Sequence, residues 1–178
     1  MNKLDIATVV AIVMTTLVVY ALGSLPFIPA WAVFISWACF FHMDGGENRD
    51  QAYLATLQHV GVGILAAWLS VLLVLNDPFN NALTSEWWGP VVIGLIIGAL
   101  SRMSLLARFA ITPAIIYGYA GTFAFLNAAG RFSNEALLSL TFDNALIALG
   151  ISLVFGASAG YLNAVLVGWL SAMSLRKG

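Results

Sequence analysis

The chain has 178 residues, of which 61% are hydrophobic and only 8% charged, with a mean hydropathy of +0.95. A water-soluble domain carries about a quarter charged residues, so this composition excludes an ordinary soluble globule and predicts lipid as the solvent. Net charge is −1 with no basic run, which excludes a nucleic-acid binder that neutralises phosphates.

A helix crosses the hydrocarbon core with about 20 apolar residues, and the chain supplies such stretches in series. The first, 5–22, has the length of a signal peptide but no strong basic lead and no clear small-residue cleavage site. It reads as a retained first helix. The run 30–43 follows a turn with two prolines and is short for a full span. The third, 52–75, ends at Asn76-Asp77-Pro78, a strong stop. Trp87 and Trp88 mark an interface, the fourth span covers 89–100 and extends toward 106, and the fifth covers 109–126. The last apolar stretch, 137–173, is too long for one perpendicular helix. A short piece, a break near 141–143 and a final helix from about Asn144 are expected. The fold class is therefore all-α: a polytopic membrane bundle of six transmembrane helices in one transmembrane domain, 1–178.

Six spans put both termini on one side. Lys3, Arg49, Arg102, Arg108, Arg176 and Lys177 then share that side and only Arg131 faces the other. By the positive-inside rule the termini are cytoplasmic. The expected location is a bacterial cell inner membrane.

Comparing residue i with i+84 gives a weak self-match. Pro29-Ala30 falls on Pro113-Ala114, Phe41 on Phe125, Gly46 on Gly130 and His59 on Asp143. Three spans per half make repeats 1–84 and 85–178 inverted relative to each other. Inverted repeats recur in transporters, with the solute path near the midplane; packing alone accounts for the same match.

Ionisable groups at membrane depth are costly unless paired or wetted. His59 and Asp143, with Asn144 beside it, are therefore candidates for a solute or proton path. Ser36 and Thr122 lie on the paired helices, and Glu47 and Glu135 at the two mouths. The bland alternative makes Asp143 a helix cap and gives His59 a backbone carbonyl partner. Gly45 and Gly46 permit a sharp turn after the second span. Asn48 or Asp50 is suited to cap the third helix, and Ser133-Asn134-Glu135 reads as another cap. Two histidines and the single Cys39 do not make a metal site. No nucleophile elbow, zinc-protease or phosphate-loop motif is present, so neither enzyme activity nor a cofactor is expected.

The run Pro29-Ala30-Trp31-Ala32-Val33-Phe34-Ile35-Ser36-Trp37-Ala38-Cys39-Phe40-Phe41, followed by Gly45-Gly46, resembles the signature of domain of unknown function 1097. So do Pro113-Ala114-Ile115-Ile116-Tyr117-Gly118-Tyr119-Ala120-Gly121-Thr122-Phe123-Ala124-Phe125 and Leu149-Gly150-Ile151-Ser152-Leu153-Val154-Phe155-Gly156. The segment 77–88 is longer than in that pattern. The resemblance implies a multi-span bacterial inner-membrane protein and carries no activity or site residues. Two functional readings stay open. One is a small-solute channel or transporter working as a homo-oligomer. The other is a non-transporting scaffold or accessory subunit of a larger membrane complex.

Overall fold

The computed structural model describes residues 3–79, 82–128 and 130–175, with the backbone alone in 82–85. Arg176 and Lys177, counted above for orientation, lie outside the described residues. Seven α-helices follow in order, and no strand occurs among the described residues. They are α1 (Lys3–Gly23), α2 (Ala30–His42), α3 (Arg49–Leu75), α4 (Ala82–Met103), α5 (Thr112–Ala128), α6 (Asn134–Leu138) and α7 (Ala145–Leu175). A 3₁₀ turn, Ala107–Phe109, precedes α5.

Three of these helices, α1, α3 and α7, are long and apolar enough to cross a membrane. With 21, 27 and 31 residues they extend about 32, 40 and 46 Å at about 1.5 Å per residue. α2, with 13 residues, reaches only about 20 Å, and α5 has 17 residues. α4 begins at Ala82 and not at Gly89, so Trp87 and Trp88 lie inside it, together with Pro90. What identifies the solvent is the outer surface. α1 buries a single row, Ile6, Val10, Met14, Val18 and Leu22, while Ile12, Leu17 and Tyr20 stand 62%, 57% and 79% exposed. An apolar helix with so much uncovered apolar surface belongs in lipid. The chain is an all-helical membrane protein.

The chain forms two compact units, one of residues up to Leu57 together with those from Ser152, the other Gln58–Ile151. In the first unit the buried row of α1 packs with Val33 and Trp37 of α2 and Ala159 of α7. A Cβ at Gly156 of α7 would strike the Val33 carbonyl oxygen and lie 2.8 Å from Ser36 Cβ; one at Gly160 would lie 2.8 Å from Phe40 Cδ1. Glycine is what lets these two backbones touch.

The second unit is built the same way. A Cβ at Gly63 of α3 would strike the Ile115 carbonyl oxygen of α5, and one at Gly118 of α5 would strike the Val60 carbonyl oxygen of α3. Leu100 of α4, Ala67 of α3 and Ile115 and Tyr119 of α5 form its buried core. Polar groups inside it are paired: Ser70 with the Tyr119 hydroxyl at 2.9 Å, and the Trp68 indole nitrogen donating to the Leu137 carbonyl at 3.0 Å.

α2 and α5 also end alike. The left-handed residue after α2 is Asp44, φ 66°, and after α5 it is Gly130, φ 63°. In each case the next amide, Gly45 or Arg131, donates to a carbonyl five residues back, Phe40 or Leu126, at 3.1 and 3.0 Å. Such left-handed caps satisfy the last carbonyls of a helix. The turn after α2 was expected to use the freedom of its glycines, but Asp44 takes the left-handed conformation. Gly45 supplies room instead, since a Cβ there would lie 2.6 Å from Phe40 Cζ.

Candidate functional site

Of the residues singled out in the sequence, Ser36 and Glu47 fall in the first unit and the other five in the second. Ser36 and Thr122 are buried, and each hydroxyl donates to its own helix, to the Ala32 and Gly118 carbonyls at 2.9 and 2.8 Å. His59 is buried in α3. Its Nε2 accepts from the Ile111 amide at 3.4 Å, and its ring meets Phe109 edge-on at 5.9 Å. In this contact the backbone partner is an amide N–H. Glu47 and Glu135 are exposed in or beside loops.

The break expected before the last helix lies between α6 and α7, and there Asp143 and Asn144 divide the work. Asn144 is the cap of α7: its side-chain oxygen accepts from the Leu146 amide at 2.9 Å, while its amide donates to the Leu137 and Ser139 carbonyls, both at 2.9 Å. Asp143 does not cap the helix. It pairs with Arg131 Nε at 2.9 Å, with its side chain 61% exposed, and the Arg131 guanidinium lies 4.7 Å over the Phe125 ring. Ser133 caps α6 as expected, accepting from the Ala136 amide at 3.1 Å. Asn144→Ala removes three hydrogen bonds from a buried site and is expected to destabilise the protein by about 2 kcal/mol. Asp143→Ala breaks only an exposed pair and should cost under about 1 kcal/mol. Unfolding in mixed detergent and SDS micelles measures both, and equal losses would contradict this division.

Glu135 and Asp143 border a cavity of about 400 Å³ with Arg131 and Ser133. Its counterpart in the first unit is larger, about 870 Å³, and the walls that α1 and α7 give it were not foreseen in the sequence. One wall is a row of α1, Lys3, Ala7, Ala11 and Thr15, spaced four apart and therefore on one face. The neighbouring row, from Ile6 to Leu22, is the packed one, so the small side chains of the first row leave the opening. Phe34, Trp37 and Phe41 of α2 form an aromatic wall, and Asn163 and Gly168 of α7 lie among the remaining lining residues. Asp44, Glu47 and Arg49 line the end formed by the α2–α3 turn.

The polar groups of this cleft differ from those elsewhere in the helices. Thr8, Thr16, Ser36, Thr56 and Thr122 each donate to the carbonyl four residues back. Thr15 makes no such bond among the described residues. Asn163 is 6% exposed, lines the cleft, and has no hydrogen-bond partner among the described residues. Arg49 is half-buried, and Lys3, Asp44 and Glu47 are exposed. A Cβ on Gly168 would lie 3.7 Å from an Arg49 terminal nitrogen, so the guanidinium rests over the bare backbone of α7. Among the described residues the one ion pair is Arg131–Asp143, so Arg49 has no carboxylate partner there. The sequence signals were present: small residues four apart in α1, and an asparagine in a long apolar helix.

A polar cross-link also joins α3 and α7 within this unit. Tyr161 donates to Asp50 at 2.7 Å and the Tyr53 hydroxyl meets Ser158 at 3.3 Å, with the two tyrosine rings edge to face at 6.0 Å. Asp50 is thus occupied by a tyrosine. Asn48 stands immediately before α3, where its carbonyl accepts from the Ala52 amide at 2.9 Å. Its side-chain amide donates to Asp44 at 2.6 Å.

Among known proteins, a family model described as "Protein of unknown function (DUF1097)" matches residues 6–168. No curated protein and no solved structure matches the chain. The matched span takes in α2 to α6, most of α1 and α7, and the whole of the cleft lining but Lys3. The resemblance seen in α2, α5 and α7 therefore holds along the chain, and the protein belongs to the DUF1097 family.

Proposed function

We propose that this protein is a small-solute channel or transporter of the bacterial inner membrane, working as a homo-oligomer of six-span chains. The observation that carries this reading is the cleft of about 870 Å³ in the first unit, with charges at the α2–α3 turn and, further along α7, an asparagine whose amide lines it without a partner among the described residues. A membrane bundle that only packs has no use for such a group, because a polar side chain without a partner is costly in a dry interior.

The inverted-repeat reading draws support from the twin construction of the two units. A glycine of a long helix meets the carbonyl of a buried β-branched residue, Gly156 on Val33 and Gly63 on Ile115. α2 and α5 carry the same left-handed cap, and α5 is longer by 17 residues to 13, about one turn. α2 and α5 are shorter than an ordinary span. Gly94 and Gly98 of α4 have open space where a side chain would be, a surface suited to close contact between copies.

The accessory-subunit reading has one observation in its favour. Ser36, Thr122 and Ser70 are buried and bonded within the chain, so these polar residues leave no hydroxyl free for a solute.

Flux into proteoliposomes separates the two. Purified protein is expected to speed the passage of small neutral or ionic solutes over protein-free liposomes. Passage at the protein-free rate for all of them supports the accessory subunit and ends the transport reading.

A further inference from the structure

The charged residues of the cleft are two cations and two anions, yet they are not equivalent. Lys3, Asp44 and Glu47 are exposed, and Asp44 already accepts a hydrogen bond from Asn48 at 2.6 Å. Arg49 alone among them is half-buried, and it has no ion pair among the described residues. A guanidinium withdrawn from water keeps a favourable energy only with an acceptor opposite it, ideally one that takes two parallel N–H bonds. Its position sharpens the point. Arg49 opens α3, where the positive end of the helix dipole disfavours a cation and favours an anion.

The next polar group along α7 is Asn163, five residues before Gly168. At about 1.5 Å per residue it lies about 7.5 Å further along the helix than the glycine against which Arg49 rests. Asn163 is more than nine-tenths buried, lines the cleft and is unpartnered among the described residues. Beyond Asn163, level with Gly160 of α7, stand Trp37 and then Phe34, whose rings stack at 5.9 Å and line the cleft together with Ala7 and Ala11 of α1.

We propose that the cleft binds a small organic anion with an apolar body. Its carboxylate or phosphate oxygens take the Arg49 guanidinium, its body lies along Trp37 and Phe34, and a polar group, where present, meets Asn163. This inference rests on the reading of the cleft as the solute's way in, and it names the class of solute. An anionic lipid headgroup and a free organic acid share this chemistry, and the test below tells them apart.

Titration calorimetry of the full chain in phosphatidylcholine nanodiscs compares phenylbutyrate, phenylbutylamine and phenylbutanol, which differ in the charge of the head alone. Phenylbutyrate is expected to bind at least about tenfold more tightly than the other two. Arg49→Ala is expected to weaken it by about tenfold or more, Arg49→Lys by less because the charge stays and the fork is lost. Asp143→Asn, in the other unit, should change nothing. Repeating the titration in phosphatidylglycerol nanodiscs identifies the source. Competition names a lipid headgroup, undiminished binding names a soluble acid, and both support an anion site. Amine or alcohol binding as tight as the acid, acid binding unchanged in Arg49→Ala, or no binding of any probe overturns the proposal. Each variant is first shown to be monodisperse, and Arg49→Lys keeps the test open if Arg49→Ala misfolds. Acid binding without flux retains the anion site and removes transport; flux of a neutral solute without acid binding does the reverse.

Discussion

Gly63→Ala lowers the stability of this protein by about 3 kcal/mol, although the same change in an open helical position raises it by about 0.5–1 kcal/mol. The reason is the missing side chain itself. A Cβ at Gly63 collides with the Ile115 carbonyl oxygen and lies 2.7 Å from the Tyr119 amide nitrogen. Those are backbone atoms held in α5, so relief requires α3 and α5 to separate. Separation in turn strains the bond between Ser70 and the Tyr119 hydroxyl. The comparison is Gly150→Ala in α7, where nothing lies within 4 Å of the added atom, and that variant gains stability. SDS-induced unfolding measured by helical ellipticity gives both values. A Gly63→Ala protein as stable as the parent would mean that these helices do not pack this closely.

Gly156→Ala is expected to be as damaging, with a second consequence that Gly63→Ala lacks. Its Cβ meets the Val33 carbonyl oxygen and Ser36 Cβ, which pushes α2 away from α7 at a cost of about 3 kcal/mol. Trp37 and Phe34 on α2 and Asn163 on α7 line the same cleft, so phenylbutyrate binding and solute flux are both expected to fall by more than about tenfold. Gly168→Ala is the control on the same helix. Its Cβ would make only an ordinary contact of 3.7 Å with Arg49, and its stability should stay within about 0.5 kcal/mol of the parent. Loss of stability with full binding in Gly156→Ala would separate the packing from the cleft.

The elements legible in the sequence were those decided locally. The stop at Asn76-Asp77-Pro78 lies just past the end of α3, and the cap at Ser133 and the break before Asn144 follow from side chains that compete for nearby backbone groups. The length of an apolar run was enough to find α1 and α7. The structure differs where a local signal had two meanings. The fourth helix was expected from Gly89, after the Trp87–Trp88 pair, but α4 begins at Ala82 and both indoles lie within it, the Trp88 nitrogen donating to the Leu73 carbonyl at 2.8 Å. Likewise a Gly-Gly pair reads as a turn of two free residues, whereas Asp44 takes the left-handed angle and Gly45 makes room for a ring.

The cleft was illegible for a different reason. Residues 3, 7, 11 and 15 of α1 and Asn163 of α7 are far apart in sequence, and nothing in either helix says which face meets the other. α1 is apolar almost all round, so its buried row is chosen by its neighbours and not by its own pattern. His59 and Asp143 drew attention because they ionise; Asn163, which does not, is a polar residue of the cleft whose side chain has no hydrogen-bond partner among the described residues. In lipid the absence of a hydrogen bond is as informative as the presence of a charge.

The most direct test of the central claim is the accessibility of position 163. In a Cys39→Ser background the substitution Asn163→Cys places one thiol on the cleft, and a membrane-impermeant maleimide reports whether water reaches it. Modification is expected in inverted membrane vesicles, where in the proposed topology with cytoplasmic termini the side bearing Glu47 faces the reagent, and none is expected in intact cells. No modification in inverted vesicles, with full reaction once the protein is unfolded in SDS, would contradict it and leave a dry bundle in place of a cleft open to solute.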